Sequence, residues 1–443
     1  MKKNILIPEL VPLKNKGEEA IVRGIGDVIF GNGKYELHLF DDVDSYYFKD
    51  DIHVYPVKWF MSPWLNYEFG LGFSTEKIKH SFFSVIRNIL HKIKPDWVTR
   101  KEANLIKTFL DLNSCYDKEK QGLLNLSKVE YIVGGHDGAM DERVCHVIDE
   151  FQKYKYVPFG VFGVEFPQKF KSHYIVSEQK KVLKKAQFFY CRTQASFNVV
   201  KKYFPEIKAE VKPDPAFGMI PVKGEVVDDY LKSTQIECIF KKPVVVCTTC
   251  ETGPIARHCF QSSNSPDLKL SAHRNFFASL IDYIVEKYDV NVLFLPHALG
   301  PGKALDDTYV AEEIIKKTTN KDSLFLLKDD ISAKLLKGII SKADFLIAER
   351  IHSMIGAVGV ATPFMCLGSN TDRRIKGIIS EMCESKEVIF YLNNPCIEDC
   401  KLKFDFLWQN ANSEKQRLSE VSSKLFSEHS KASSFIKQEF SCE

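Results

Sequence analysis

The sequence predicts an α/β fold of two doubly wound domains, each a parallel sheet with helices on both faces. Three observations carry this. Short apolar runs alternate with amphipathic helical stretches along most of the chain. The runs are bounded by Gly, Pro, Asp or Asn, as strands are. The rhythm breaks once, over the charged, weakly periodic residues 222–242, and then resumes. Taken in order, the first strand is Asn4–Pro8, an apolar run closed by proline. Tyr35–Phe40, Ile52–Val57, Val129–Val133, Val157–Val164, Phe188–Cys191 and Glu210–Lys212 follow. Beyond the break come Val244–Cys247, Asn291–Leu295, Leu324–Leu327, Phe345–Ala348, Phe364–Leu367 and Val388–Tyr391. Stretches of helical period, such as Asp307–Thr318 and Ser332–Lys342, separate most of them. The expected domains are residues 1–222 and 243–395. Residues 396–443, rich in Ser, Lys and Glu, read as a solvent-facing helical tail.

Length and composition narrow the function. At about 150 residues per domain, 443 residues make two or three domains. Lys and Arg number 61 against 58 Asp and Glu, a net charge of +3. Nucleic-acid-binding domains carry a clear basic excess, so nucleic acid is not an expected partner. Twelve Cys fall far below the density of a disulfide scaffold. Cys191, Cys247 and Cys366 sit in apolar strand-like runs, where reduced cysteine packs as a small hydrophobe. The opening MKKNILIPEL lacks the apolar stretch of about 7–15 residues and the cleavage site of a signal peptide, and reads as a strand. No run approaches the roughly 18 apolar residues of a membrane span. A cytoplasmic setting is expected.

Residues 75–107 stand apart. Lys77, Lys79, Arg87, Lys92, Lys94, Arg100, Lys101 and Lys107 face only Glu76, Asp96 and Glu102, giving +5 against the whole chain's +3. Ile78, Phe82, Phe83, Ile86, Ile89, Leu90 and Ile93 recur at helical spacing, so a basic amphipathic helix is expected. It is either a surface helix packed on the core or a peripheral contact with the anionic inner face of a membrane.

Open parallel sheets bind ligands beyond the carboxyl ends of their strands, often against helix N-termini. Three strand-to-helix junctions therefore matter. In Lys14-Asn15-Lys16-Gly17-Glu18-Glu19-Ala20, Gly17 permits close backbone approach and Lys14 or Lys16 can meet an anion. Glu18 and Glu19 also suit a plain helix start. Gly134-Gly135-His136-Asp137-Gly138 ends a strand in a glycine-rich turn, with or without a ligand. In Glu349-Arg350-Ile351-His352-Ser353, Arg350 offers a fork for carboxylate or phosphate and His352 can move protons near neutral pH. A small-residue helix and Pro363 follow. A buried structural histidine is the simpler alternative there. Cys247-Thr-Thr-Cys250 lacks a second pair at zinc spacing and reads as buried or incidental thiols. Gly300-Pro-Gly302-Lys303 lacks the spacing of a phosphate-binding loop.

In this order, the segments resemble the polysaccharide pyruvyl transferases. That family opens with Asn-x-Gly-Asp-Glu-Ala, matched by Asn15-Lys16-Gly17-Glu18-Glu19-Ala20. Its Gly-Gly-Gly strand end is matched by Gly134-Gly135-His136. Its Arg-x-x-x-Ser segment and Asp-Pro-Ala-Phe are matched by Arg192 to Ser196 and by Asp214-Pro215-Ala216-Phe217. Its Pro-His segment and later acids are matched by Pro296-His297 and Asp306-Asp307. Its closing Arg-x-His, proline and basic residue are matched by Arg350, His352, Pro363 and Arg374. The resemblance covers roughly residues 4–380. Glu18 replaces the usual Asp, His136 the third Gly, and Arg374 a common Lys. Residues 41–128 carry no motif of the family.

The resemblance implies two Rossmann-like domains facing a central cleft in a GT-B-like arrangement, with residues 1–222 on the acceptor side and 243–395 on the donor side. It implies transfer of pyruvate from phosphoenolpyruvate (PEP) to two hydroxyls of one sugar in an exopolysaccharide or capsule precursor. The product is a cyclic ketal, and phosphate is released. PEP is the donor substrate, and no cofactor or metal is implied. The acceptor sugar is lipid-linked or nucleotide-linked. His352 and Arg350 become the expected catalytic pair. Lys14, Asn15, Gly17, Glu18, Gly134, Gly135, Arg192, Asp214, His297 and Arg374 become the expected substrate-binding set. Arg350, Arg192, Arg374 and Lys14 would hold the donor's anionic groups through charge-assisted hydrogen bonds. Asp214 either orients one of these cations or is a turn residue before Pro215. A nucleotide-sugar-dependent glycosyltransferase and a non-catalytic glycan-binding subunit remain the competing functions on the same plan.

Overall fold

Strands of a parallel sheet are covered on both faces and therefore read as unbroken apolar runs. The computed structural model, which describes residues 2–41, 43, 46–56, 93, 127–136, 140–170, 173–261, 265–300 and 302–441, contains two such sheets. The first is built from β1 (Lys3–Leu10), β2 (Tyr35–Asp41), β3 (Tyr47–Lys49), β4 (Ile52–Pro56), β5 (Tyr131–Gly134), β6 (Phe159–Val164), β7 (Phe189–Cys191) and β8 (Ala209–Val211). Their order is β3-β4-β2-β1-β5-β6-β7-β8. All pairings are parallel except β3 with β4. Strand β3 is three exposed residues, too short and too polar in setting to leave an apolar run.

Helix α1 (Lys16–Phe30) follows β1, and α2 (Glu142–Tyr154), α3 (His173–Leu183) and α4 (Gln194–Tyr203) follow β5, β6 and β7. Side-chain caps start two of them: Asp141 accepts the Val144 N–H (3.0 Å) and Thr193 that of Ser196 (3.2 Å). The core around β5 to β8 is rich in phenylalanine, with Phe159, Phe166, Phe189 and Phe204 fully buried. The chain builds β2 on one side of β1 and β5 on the other. The reversal of strand order therefore falls between β1 and β5, the place where open sheets accept ligands.

The second sheet is built from β9 (Val244–Thr248), β10 (Asn291–Phe294), β11 (Leu324–Leu326), β12 (Phe345–Ala348), β13 (Phe364–Gly368) and β14 (Ile389–Tyr391). Its order is β11-β10-β9-β12-β13-β14, all parallel, with the reversal between β9 and β12. Around it lie α5 (Pro215–Gly218), α6 (Gly224–Ser233), α7 (Gly253–His258), α8 (Pro266–Tyr288), α9 (Asp307–Ile315), α10 (Ala333–Lys342), α11 (Ile351–Gly359), a π-helix (Ile375–Met382), α12 (Ile397–Gln409) and α13 (Ala411–Ser441).

The chain separates into two compact units that are not contiguous in sequence. One is Met1–Pro12, Ile25–Lys212 and Lys431–Glu443; the other is Leu13–Gly24 and Pro213–Ser430. This differs from the expected division into 1–222, 243–395 and 396–443, for physical reasons. Residues 213–241 are packed: Ala216, Phe217, Met219, Val227, Leu231 and Ile239 are buried. Lys337 of α10 also donates to the carbonyls of Phe217 (2.9 Å) and Met219 (2.6 Å). The tail is amphipathic and packed, not solvent-facing. Helix α12 buries Cys400, Phe404 and Leu407, and α13 buries Leu418, Leu425, Ala432, Ile436 and Phe440. Serine, lysine and glutamate on its other faces mask that stripe in the composition. Among the described residues no helix is long and apolar enough to cross a membrane. The basic stretch 75–107 lies outside the described residues apart from Ile93.

Candidate functional site

In the second unit, the carboxyl ends of β9 and β12 carry the polar residues. β12 ends at Ala348, and Glu349 and Arg350 bridge it to α11. The guanidinium of Arg350 donates both Nε (2.9 Å, to Oδ2) and Nη2 (to Oδ1) to Asp307, the first residue of α9. Asp307 Oδ2 also accepts the backbone N–H groups of His297 (3.0 Å) and Ala298 (2.9 Å). Burial pushes the Asp307 carboxyl up, opposed by Arg350. The fork is thus fixed on one edge, and Nη1 makes no hydrogen bond among the described residues. The Arg350 side chain is 18% exposed, so that second edge is the one an anion can use.

The segment opening α1 belongs to this unit. Lys16 N–H donates to the His297 carbonyl (2.7 Å), and Leu299 N–H to the Lys14 carbonyl (3.0 Å). Asn15 Oδ1 accepts the Gly17 N–H (3.1 Å), while its amide donates to Glu18 (3.4 Å). The Lys16 ammonium is buried and reaches Glu19 (3.3 Å) and the half-exposed Asp330 (2.5 Å). Glu19 in turn accepts from Arg23 (2.6 Å). Gly17 is required by close approach: a Cβ there would lie 2.3 Å from Nδ1 of His352. Lys16, His297, His352 and Lys337 line one small pocket, together with Met219 and Gly356.

His297 Nδ1 lies 3.0 Å from the Leu295 carbonyl, which can only accept, so Nδ1 carries the proton and Nε2 is an acceptor. Burial, with Arg350, His352 and Lys16 nearby, lowers its pKa to about 4, which keeps the ring neutral at physiological pH.

Behind Arg350 lies a buried ionic network. Glu349 Oε2 accepts the Cys250 N–H (2.7 Å), across the reversal from β12 to β9. Its Oε1 pairs with His273 Nε2 (2.8 Å), and His273 Nδ1 meets Glu251 (3.2 Å). Burial opposes the charge on His273, but Glu349 and Glu251 outweigh it and raise the pKa to about 9. Arg274 closes the set, gripping both oxygens of Glu251 (2.7 Å each).

In the first unit, Glu9 near the end of β1 accepts the Gly135 N–H at the end of β5 (2.5 Å). Gly135 sits at φ +105°, where glycine is favoured. Arg192, at the end of β7, is 1% exposed and pairs with Glu165 at the end of β6 (3.5 Å). Thr193 donates to the same Glu165 oxygen (2.9 Å).

Of the residues singled out from sequence, Asn15, Gly17, Glu18, His297, Arg350 and His352 fall in one unit around the second sheet's strand ends. Lys14 is exposed there, and it is Lys16 that enters the pocket. Arg374 heads the π-helix and spends Nε (3.1 Å) and Nη2 (3.0 Å) on Asp372. Asp214 caps α5 through the Ala216 N–H (2.9 Å). Gly134, Gly135 and Arg192 belong to the other unit. Sequence reasoning missed Glu9, His273 and Lys337, and it gave no role to Glu349 beside Arg350. Only the Lys16-x-x-Glu19-x-x-x-Arg23 spacing carried a local signal, that of i,i+3 and i,i+4 helix pairs. Among the described residues no group of three or more His, Cys, Asp or Glu side chains is placed to hold a metal ion.

A family model for polysaccharide pyruvyl transferase matches residues 15–371. No curated protein matches the chain by sequence. Solved structures do match in fold. One is UDP-GlcNAc 2-epimerase from Neisseria meningitidis bound to UDP-GlcNAc, at 11% identity over 99% of this chain and 100% of that one, TM-score 0.50. Another is an E. coli trehalose-6-phosphate protein bound with UDP-2-fluoro glucose, at 10% identity over 100% of both chains, TM-score 0.50. These are GT-B sugar enzymes, and at such identity they establish the two-sheet Rossmann-like fold alone.

Proposed function

The chain belongs to the polysaccharide pyruvyl transferase family, and from that premise we propose that it transfers pyruvate from PEP to two hydroxyls of one sugar in a surface-polysaccharide precursor. The observation that carries this reading is the convergence of Lys16, His297, His352 and the open edge of Arg350 around the second sheet's strand ends. PEP bears a phosphate and a carboxylate, and an arginine edge and a buried lysine that both act on His297 suit a ligand with two anionic groups. Lys16 meets it by exchanging Asp330, its exposed counter-ion, for the donor's anion.

The chemistry asks for protons in both directions. C3 of the enol phosphate takes up a proton, which leaves positive charge at C2. A sugar hydroxyl adds to C2 and loses its proton. Phosphate then leaves with the C2–O electron pair, and a second hydroxyl of the same sugar adds and is deprotonated. The net products are one cyclic ketal and one inorganic phosphate. His352 acts as acid or base at these steps, a task typically worth about 10²–10⁴-fold. Neutral His297, with Nε2 free of the ring proton, serves as a second base.

The test follows phosphate release from PEP with candidate glycans, together with the mass gain of one pyruvate ketal. His352→Ala should reduce both at least about 10²-fold while leaving the melting curve unchanged. Near-normal turnover would remove His352 from this role. Stabilisation of the protein by a nucleotide sugar in place of PEP would replace the whole reading with glycosyl transfer.

A further inference from the structure

Glu9 is a buried carboxylate at a strand-order reversal for which the donor chemistry has no use. It is 5% exposed and lies at the carboxyl end of β1, against β5. Its Oε1 is taken by the Gly135 N–H (2.5 Å), while Oε2 has no hydrogen-bond partner among the described residues. Gly134 is required by the close packing here, since a Cβ there would lie 2.6 Å from the Met140 sulfur and 3.2 Å from Oε1. A buried carboxylate oxygen without a donor is costly to maintain, and proteins rarely leave one except where something else supplies the hydrogen.

The surroundings define what that something is. The charged and titratable groups that act on Glu9 are His136 and Asp141. Along the same strand ends, Glu165 is a further carboxylate, and Arg192 is already paired with it. With Glu165 already paired, the open acceptor at this edge is Glu9 Oε2, and an ionised carboxylate oxygen takes an O–H donor and not a second anion. We propose that Glu9 Oε2 is a hydroxyl-binding site for a neutral sugar, the sugar O–H donating to the carboxylate beside the Gly134-Gly135 turn. This deepens the sugar-acceptor reading above and rests on it for the ligand class, while the site itself stands within the first unit alone. Burial raises the Glu9 pKa to about 7, so the accepting carboxylate gains population as pH rises through neutrality.

The experiment titrates the full chain with methyl glycosides of glucose, galactose, mannose and N-acetylglucosamine, read by saturation-transfer NMR from about pH 6 to about pH 8. At least one glycoside should bind, and more tightly as the pH rises. Glu9→Gln keeps an acceptor for Gly135 N–H but presents an amide N–H₂ in place of the accepting oxygen. It should bind at least about 10-fold more weakly and without the pH dependence. If Glu9→Gln does not fold, Glu9→Asp, which withdraws both oxygens by one methylene, should show the same weakening. No binding of any glycoside to the wild type, or undiminished and equally pH-dependent binding to a folded variant, would overturn the site. PEP-dependent phosphate release is measured on the same samples. Its absence alongside glycoside binding of the expected kind would sink the donor reading and leave this site standing.

Discussion

Glu9 in the first unit and Glu349 in the second occupy corresponding places. Each lies at the carboxyl end of a strand beside the reversal of strand order, and each accepts a backbone N–H from the strand across it (2.5 Å from Gly135, 2.7 Å from Cys250). The second oxygen separates them. In Glu349 it is met by a charged His273, itself held by Glu251. In Glu9 it has no partner among the described residues. A reversal whose carboxylate is satisfied on both oxygens is scaffold. Here that scaffold aims the adjacent Arg350. A reversal whose carboxylate keeps one oxygen open is a place for a ligand.

The strongest way to break this contrast is to unmake the satisfied member. His273→Ala leaves Glu349 and Glu251 buried without their shared cation, and about 3–5 kcal/mol of stability should be lost in denaturant titration. A loss under about 1 kcal/mol would mean that the network is not the scaffold described.

The pH dependence of stability sharpens the contrast further. Both groups have raised pKa values in the folded chain, so both stabilise it most at the acid side of their windows. For Glu9 the unfolded chain binds fewer protons than the folded one between about 4.5 and about 7. Its contribution is full below the lower value and is lost, by about 3 kcal/mol, as pH rises through the upper. For His273 the window runs from about 6.5 to about 9, with a similar loss. Subtracting the stability–pH curve of Glu9→Gln from that of the wild type should isolate the lower window. A flat difference there would contradict the burial assigned to Glu9.

The smallest expected effect concerns the cation that reaches the pocket. Asp330 is about half exposed and pairs with the buried Lys16, and solvent screening of Asp330 keeps the contact near the range of exposed pairs, about 0.2–1 kcal/mol. Asp330→Asn should therefore tighten PEP binding by up to about fivefold, measured by calorimetry at low salt. Weaker binding would show that Asp330 positions Lys16 and does not compete with the donor.

The strands and their order along the chain were legible because doubly covered parallel strands are apolar throughout, as in Val244–Thr248 and Phe345–Ala348. The exposed edge strand β3 left no such mark. Chemistry at helix openings was legible where local geometry demands a residue type, as at Gly17 and Arg350-Ile-His352. The choice between Lys14 and Lys16 was not, because it depends on which side of α1's first turn faces His297, a residue about 280 positions away in sequence. The partners of Arg350 and of Glu349 are likewise distant: Asp307 is 43 residues away, and His273 is 76. No periodicity encodes such pairs. The unit boundaries were hidden for a related reason. Composition describes a stretch by itself, and the charged residues 222–242 and the polar residues 411–441 each bury an apolar stripe against a neighbour.

The division of the chain between units bears on the order in which a ribosome delivers it. Domains ordinarily fold in turn as they emerge, the N-terminal one first. Here the first unit reaches Lys212 still lacking residues 431–441, whose Phe440 stacks on Tyr131 (4.6 Å between ring centroids). The second unit, synthesised in between, takes its Lys16 from a segment made before almost all of the first. Whichever unit is made earlier is completed later. A nascent chain paused before residue 431 would hold Lys16 and both histidines of its pocket, with the sheet that carries Glu9 still waiting for the last turns of α13.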